Sequence, residues 1–244
     1  MRLDKYLGES GLFSRKEAGI AVRAGRIAVD GAIVRDPSAH IAESACVTCD
    51  GKPVLWSRFQ YIMLHKPTGV ISASEEGSGD RTPTVMSLLP EACRRLGMFP
   101  CGRLDKDTTG LLVITNDGQS AHKWLSPRRH VPKVYRYRCD PALTAEGQAR
   151  METGMDLGDF TSKPAVVHPD PDRLSGEITL TEGKFHQIKR MFHAAGSEIT
   201  ALERVTFGPL TLDPSLAPGE WRYLTAAEIH SLRNWGDGEP AADA

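Results

Sequence analysis

Between Gly102 and Gly110 the chain reads Gly-Arg-Leu-Asp-Lys-Asp-Thr-Thr-Gly, and an apolar run, Leu111–Thr115, follows directly. Two carboxylates, an arginine, a lysine and two hydroxyls thus share one short loop between glycines. A loop at a strand end is held still by its sheet, which suits a catalytic acid. On residue pattern alone, Asp105 and Asp107 also read as a hard-metal site or as a solvated turn. Hard cations need more oxygen ligands at workable spacing, and Lys106 between the acids competes for their charge. Cys46 and Cys49 form a CxxC without a second ligand pair, in a strand-like stretch rather than at a helix start. Neither a zinc site nor a redox motif is therefore expected there. The other three cysteines are scattered, and no disulfide framework is expected.

These groups need a scaffold. Leu3, Tyr6 and Leu7 have helical spacing, and Ser14 with Glu17 forms a capping box for a second helix that Gly25 can end. Arg26–Val29 and Ala32–Val34 flank Asp30-Gly31, the composition of a tight hairpin turn. Beyond the polar stretch Trp56–Gln60, strands are predicted at Tyr61–Leu64, Leu111–Thr115, Val134–Cys139, Glu177–Leu180 and Ile199–Phe207. Helices are predicted near Thr84–Leu89, Gln119–Leu125 and His186–Ala195, and a further capping box, Thr225 with Glu228, opens a last helix. On the helix after His186, Ile188, Met191, Phe192 and Ala195 form one apolar stripe, so Lys189 and Arg190 point to the sheet edge or solvent. The pattern reads as an α+β protein: a small α/β module at 1–57, a larger domain with no internal repeat at 58–235, and a small, acidic tail at 236–244 expected to fray.

The opening "RLDKYL…GLFSRKEAGIAVRAGRIAVDGAIV" resembles the S4 RNA-binding domain over about residues 1–48. That resemblance implies a two-helix face docking on structured RNA through phosphates, here with Arg2, Lys5, Arg15, Lys16, Arg23 and Arg26. "GRLDKDTTGLLVITNDG" resembles the signature of pseudouridine synthases of the ribosomal small-subunit (16S rRNA) type, which are grouped with several large-subunit enzymes. "LHKPTGV", "KVYRY" and "EGKFHQIKRMF" agree in order, while "SPRRH" and "LAPGEWRYLT" favour the small-subunit kind.

The resemblance implies a mixed, largely antiparallel sheet with the active site in a basic cleft across it. It makes Asp105 the catalytic carboxylate, Lys189 (or its neighbour Arg190) the cation facing it, and Tyr135 the residue packing against the base. It makes Leu202 an apolar wall of the uracil pocket. Arg103 is the candidate to fill the gap left by an extruded base or to grip its phosphate, and Arg128, Arg129 and Lys133 are further candidates for RNA contact. His186 and His193, seven apart, do not have the three- or four-residue spacing of a metal pair and read as RNA-facing or structural. The reaction breaks an N-glycosidic bond, turns the uracil and rejoins it through carbon. No hydride, phosphate or methyl group moves, so no cofactor and no metal are expected.

The composition is that of a globular protein, 40% hydrophobic and 25% charged over 244 residues. Formal net charge is −1, yet it is uneven: residues 58–137 carry twelve basic and seven acidic groups, and residues 138–244 carry ten and seventeen. A neutral total can hide a basic face. Met1–Gly11 is charged and lacks an apolar core, and no apolar run approaches the roughly 20 residues of a membrane span. A cytoplasmic monomer without a membrane partner is expected, acting on ribosomal RNA or an assembling small-subunit particle. Large-subunit rRNA as substrate, a non-catalytic ribosome-assembly factor, and a metal-dependent nuclease built on Asp105 and Asp107 are the alternatives.

Overall fold

The computed structural model describes residues 1–54, 56–74, 82–126 and 131–235. The tail from Gly236, and with it the expectation of fraying, lies outside the described residues, as do Arg128 and Arg129. By contact the chain divides into two compact units, one of Met1–Gln60 with Leu89–Met98 and one of Tyr61–Leu88 with Phe99–Ala244.

Local sequence signals build the first unit. Helix α1 (Leu3–Glu9) is followed by α2 (Arg15–Arg23), which opens on the expected box. The Glu17 N–H donates to Ser14 Oγ at 3.3 Å, and the Ser14 N–H donates to Glu17 Oε2 at 2.7 Å. A cap of this kind contributes about 1 kcal/mol. Strands β1 (Ile27–Val29) and β2 (Ala32–Ile33) turn at Asp30 and Gly31, with φ of 49° and 84°, the left-handed pair a type I′ turn requires. β3 (Val47–Cys49) and β4 (Lys52–Pro53) repeat the device at Asp50-Gly51, and the sheet runs β2-β1-β3-β4. Leu3, Leu7, Val22 and Ile27, all with no solvent exposure, anchor the core under the helices. Helix α3 (Glu91–Arg95) also belongs here, and its Arg95 lies 3.3 Å from Glu17.

The helix predicted near Thr84–Leu89 is instead a 3-10 turn at Val85–Leu88. Pro90 explains the difference, because the residue before a proline is driven out of the α region. Proline then caps α3 from outside.

The second unit is an eight-stranded sheet. Its strands are β5 (Tyr61–Lys66), β6 (Phe99–Pro100), β7 (Thr109–Thr115), β8 (Lys133–Asp140), β9 (Val166–Pro169), β10 (Ser175–Leu180), β11 (Glu198–Arg204) and, after the small β12–β13 hairpin (Thr206–Phe207, Leu210–Thr211), β14 (Trp221–Tyr223). The order is β14-β5-β7-β11-β8-β10-β9, with β6 paired to β7. The β7–β11 pair is parallel and the other described pairs are antiparallel, so the sheet is mixed and largely antiparallel, as expected. β5 is buried at every position and β7 at all but its first, whereas β8 alternates. Tyr135 and Tyr137 of β8 are turned inward, and Arg136 and Arg138 are exposed.

Helices α4 (Gly118–Leu125), α5 (Ala145–Thr153), α6 (Gln187–Ala194) and α7 (Ala226–Arg233) complete the unit. α6 buries Ile188, Met191 and Phe192 of the predicted stripe, with the Phe192 ring centred 4.7 Å from Tyr137, while Ala195 is the half-buried C-cap. The single strand predicted at Ile199–Phe207 is broken after Arg204, where the Val205 N–H turns to the Val134 carbonyl and β12 pairs with β13. α5 has no counterpart among the predicted helices because Met151 is its lone large buried side chain, too little for a periodic signal.

Candidate active site

The loop from Gly102 to Thr108 joins β6 to β7, and buried groups fix its backbone. Lys66, at the end of β5 with no solvent exposure, sends its ammonium to the carbonyls of Asp105 (2.9 Å), Thr108 (2.9 Å) and Pro67 (3.0 Å). Ser72 Oγ donates to the Leu104 carbonyl at 2.9 Å and accepts the Leu104 N–H at 3.0 Å. The Gly69 N–H reaches the Lys106 carbonyl at 2.9 Å. Each charge-assisted bond from the Lys66 ammonium is worth roughly 1.5–3 kcal/mol. Burial lowers the Lys66 pKa to about 8 and Lys189 adds repulsion, while Asp107 and Asp105 oppose the fall. At the far end of the loop Gly110 has φ of 104°, and a Cβ there would fall 2.2 Å from the Arg204 carbonyl oxygen. Glycine permits the close parallel approach of β7 to β11.

So held, Asp105 meets α6. Lys189 Nζ lies 3.1 Å from Asp105 Oδ2 and 2.5 Å from Asp107 Oδ1. Burial works against the ammonium, but its bonds to Asp107 and Asp105 outweigh this and hold its pKa above the ordinary lysine value. Asp107 is likewise penalised by burial, yet the Lys189 bond brings its pKa below the usual carboxylate range. From the other side His186 Nε2 approaches Asp105 Oδ1 to 3.7 Å. Arg190 is elsewhere: it pairs with Asp159, donates to the Leu157 carbonyl at 2.6 Å and lies 5.0 Å over the Phe160 ring. Of the two cations the sequence left open, Lys189 is therefore the one beside the acid.

A cleft of about 800 Å³ opens over Asp105, and Arg103, Tyr135, Lys189 and Leu202 line it too. Tyr135 and Leu202 are 8% and 7% exposed, forming an aromatic and an apolar wall. Arg103 is exposed and has no ion pair among the described residues. Lys133, expected at an RNA-facing surface, is 4% exposed and lies against the cleft, donating to the Val131 carbonyl at 2.9 Å. Burial, reinforced by Arg204, pulls its pKa to about 7. Among the described residues, Thr108 Oγ1 and Arg204 Nη2, from two further cleft residues, are buried without a hydrogen-bond partner.

Sequence reasoning missed Lys66, Ser72 and Arg204, and it read His186 as RNA-facing or structural rather than as a neighbour of the acid. "LHKPTGV" pointed at the Lys66 segment without giving it a task, and no spacing marked the others. Among the described residues no group of three His, Cys, Asp or Glu side chains could hold a metal ion. Cys46 is exposed and Cys49 buried, and burial raises the Cys49 thiol pKa.

In the first unit three of the predicted cations have local acids. Arg2 lies 2.6 Å from Asp4, Lys5 3.6 Å from Glu9, and Arg26 2.6 Å from Asp50. Arg15, Lys16 and Arg23, all on α2, are exposed and carry no ion pair among the described residues. Again among the described residues, no helix is long and apolar enough to cross a membrane.

Known proteins resemble this chain over nearly its whole length. Residues 60–194 match the RNA pseudouridylate synthase family, and residues 1–45 match the S4 domain. The chain belongs to the RNA pseudouridine synthase family, a family of isomerases, and carries an S4 RNA-binding domain at its start. It is 44% identical over 237 residues to an uncharacterised RNA pseudouridine synthase of Bacillus subtilis (strain 168), covering 95% of this chain and 98% of that one. It is 38% identical to the ribosomal small subunit pseudouridine synthase A of Escherichia coli (strain K12), covering 95% and 100%. A solved structure described as a pseudouridylate synthase superposes with a TM-score of 0.65 at 33% identity, over 95% of this chain and 99% of that one.

Proposed function

We propose that the protein converts one uridine of small-subunit ribosomal RNA to pseudouridine, with Asp105 as nucleophile and the target base flipped out of its stack. The observation that carries this reading is the Asp105–Lys189 pair, 3.1 Å apart in a cleft walled by Tyr135 and Leu202. Attack on the sugar or the ring requires a carboxylate oxygen held in place, and the Lys189 ammonium holds Asp105 Oδ2 there. The isomerisation is balanced within the substrate: the N-glycosidic bond breaks, a bond from carbon five to the same sugar carbon forms, carbon five loses its proton and the freed nitrogen gains one. Walls of low polarity keep water from capturing the detached intermediate. Tyr135 packs against the base, and Arg103 at the rim fills the vacated stack or holds the neighbouring phosphate.

In this reading residues 1–57 supply phosphate contacts through Arg15, Lys16 and Arg23, and residues 58–235 perform the chemistry. The protein works as a cytoplasmic monomer and draws no group from a cofactor. Small-subunit RNA is preferred over large-subunit RNA because relatives named small-subunit synthase A match over nearly their whole length, including the 36% identical one of Vibrio cholerae serotype O1 over 99% of its chain.

The test is to incubate the protein and chelator with unmodified small- and large-subunit rRNA, naked and protein-bound, and map pseudouridine by carbodiimide-blocked reverse transcription. A single new stop in small-subunit RNA is expected. A stop in large-subunit RNA alone would move the substrate, and no stop in either would leave an RNA-binding assembly factor.

A further inference from the structure

Phe185 is 73% exposed, more than any other large apolar side chain among the described residues. A lone apolar group at a surface is ordinary, but this one is placed with care. Its loop is cross-tied from within by Gln187, which is 4% exposed. The Gln187 amide donates to Glu182 at 2.6 Å and accepts the Lys184 N–H at 3.0 Å, while Glu182 accepts the Lys163 N–H at 2.8 Å. His186 then adopts φ of 51°, a left-handed conformation that is strained for a residue other than glycine. The result is a parallel stack of Phe185 on the His186 imidazole, centroids 3.9 Å apart and planes 15° apart. The far edge of that imidazole lies 3.7 Å from Asp105. A continuous path therefore runs from an open aromatic face, through one imidazole, to the reacting carboxylate.

The surroundings restrict what can sit on that face. Arg103, Lys106, Lys184 and Lys189 line the same cleft, so the ligand must combine a planar π face with an anionic backbone. Lipid lacks the first, and an acidic peptide lacks a regular supply of it.

We propose that Phe185, backed by His186, is a stacking platform for an unpaired base adjacent to the target uridine. The inference rests on the reading that uridine enters this cleft. Base–aromatic stacking is worth about 1–3 kcal/mol, which corresponds to a loss on the order of 5- to 150-fold in apparent affinity when the ring is removed. Phe185→Leu keeps the apolar bulk and removes the π face, and the exposure of the site leaves folding undisturbed. Two measurements are made together. In the first, a short RNA of uridines with one central 2-aminopurine is bound to the otherwise unaltered protein and its fluorescence read. In the second, KM and kcat are measured on small-subunit rRNA. Quenching by the wild type, relieved by Phe185→Leu and restored by Phe185→Tyr, is expected, with KM raised by that factor and kcat within about twofold. Fluorescence and KM unmoved by Phe185→Leu would overturn the platform while rRNA conversion still stood. Quenching that depends on Phe185 without conversion of any rRNA would keep the platform and remove the isomerase reading.

Discussion

On the first unit Arg2, Lys5 and Arg26 each lie against an acid of their own, and Arg2 and Arg26 keep about half of their side-chain surface in water. In the second, Lys66 has no exposed surface and Lys189 keeps 23% of its side chain exposed, and both are directed at one loop. Exposed pairs contribute about 0–1 kcal/mol and are screened by salt. The partly buried ones are stronger and fix atoms in place. In the proposed reading, charge on the first unit is a field to be read by phosphates at variable distance, carried by Arg15, Lys16 and Arg23. In the catalytic unit it is a positioning device, where an ångström of error removes function. Lysine does both jobs, at Lys5 and at Lys66 and Lys189, and burial separates them.

That contrast can be broken in graded ways. Asp105→Asn is expected to lower turnover by at least about 10⁴-fold with RNA affinity within about twofold, read by single-turnover kinetics and filter binding. Lys189→Met should lower kcat by on the order of 10²- to 10³-fold, because it removes the cation beside the acid; near-normal kcat would take Lys189 out of the site. Lys66→Met leaves the carbonyls of Asp105 and Thr108 without their buried donor. A loss of about 10²-fold in kcat is expected as the loop shifts, with about 1–3 kcal/mol of stability lost per orphaned carbonyl by denaturant titration. Replacing Arg15, Lys16 and Arg23 together with Gln should do the reverse. KM rises, kcat at saturation holds, and the salt dependence of binding flattens by roughly 2–3 in log–log slope.

The smallest effect is also the sharpest. Burial holds Lys66 near about 8 and Lys133 near about 7, both below the ordinary lysine value. Between those values and the unfolded lysine pKa, the unfolded chain retains protons that the folded one has released. The unfolding free energy from these groups therefore rises with pH across that window. Activity should move the other way above about pH 8, where the Lys66 clamp loses a donor. A kcat that stays level across that range while stability rises would refute the clamp, and stability falling with pH would refute the lowered Lys66 pKa.

The unequal legibility of the two units has the same root in distance along the chain. Ser14 and Glu17 cap α2 across three residues, and Asp30-Gly31 turns a hairpin across two, so local sequence is enough. The chain-order signal of "GRLDKDTTG" marks Asp105, but the loop's fastening depends on Lys66, 39 residues away, and no local pattern records that. Lys189 and Arg190 are adjacent on one helix, and that the first lies beside Asp105 and the second beside Asp159 follows only from where the chain brings those acids. His186 reaches Asp105 through a left-handed turn, uncommon for any residue other than glycine, which helix propensity does not foresee.

The most direct measurement is the release of the carbon-five proton from tritiated uridine in ribosomal RNA, comparing the wild type with Asp105→Asn at saturating, equal occupancy. Stoichiometric release of one tritium per RNA by the wild type, and none by the variant, is the predicted result. Comparable release by Asp105→Asn would contradict the assignment of the chemistry to the Asp105–Lys189 pair.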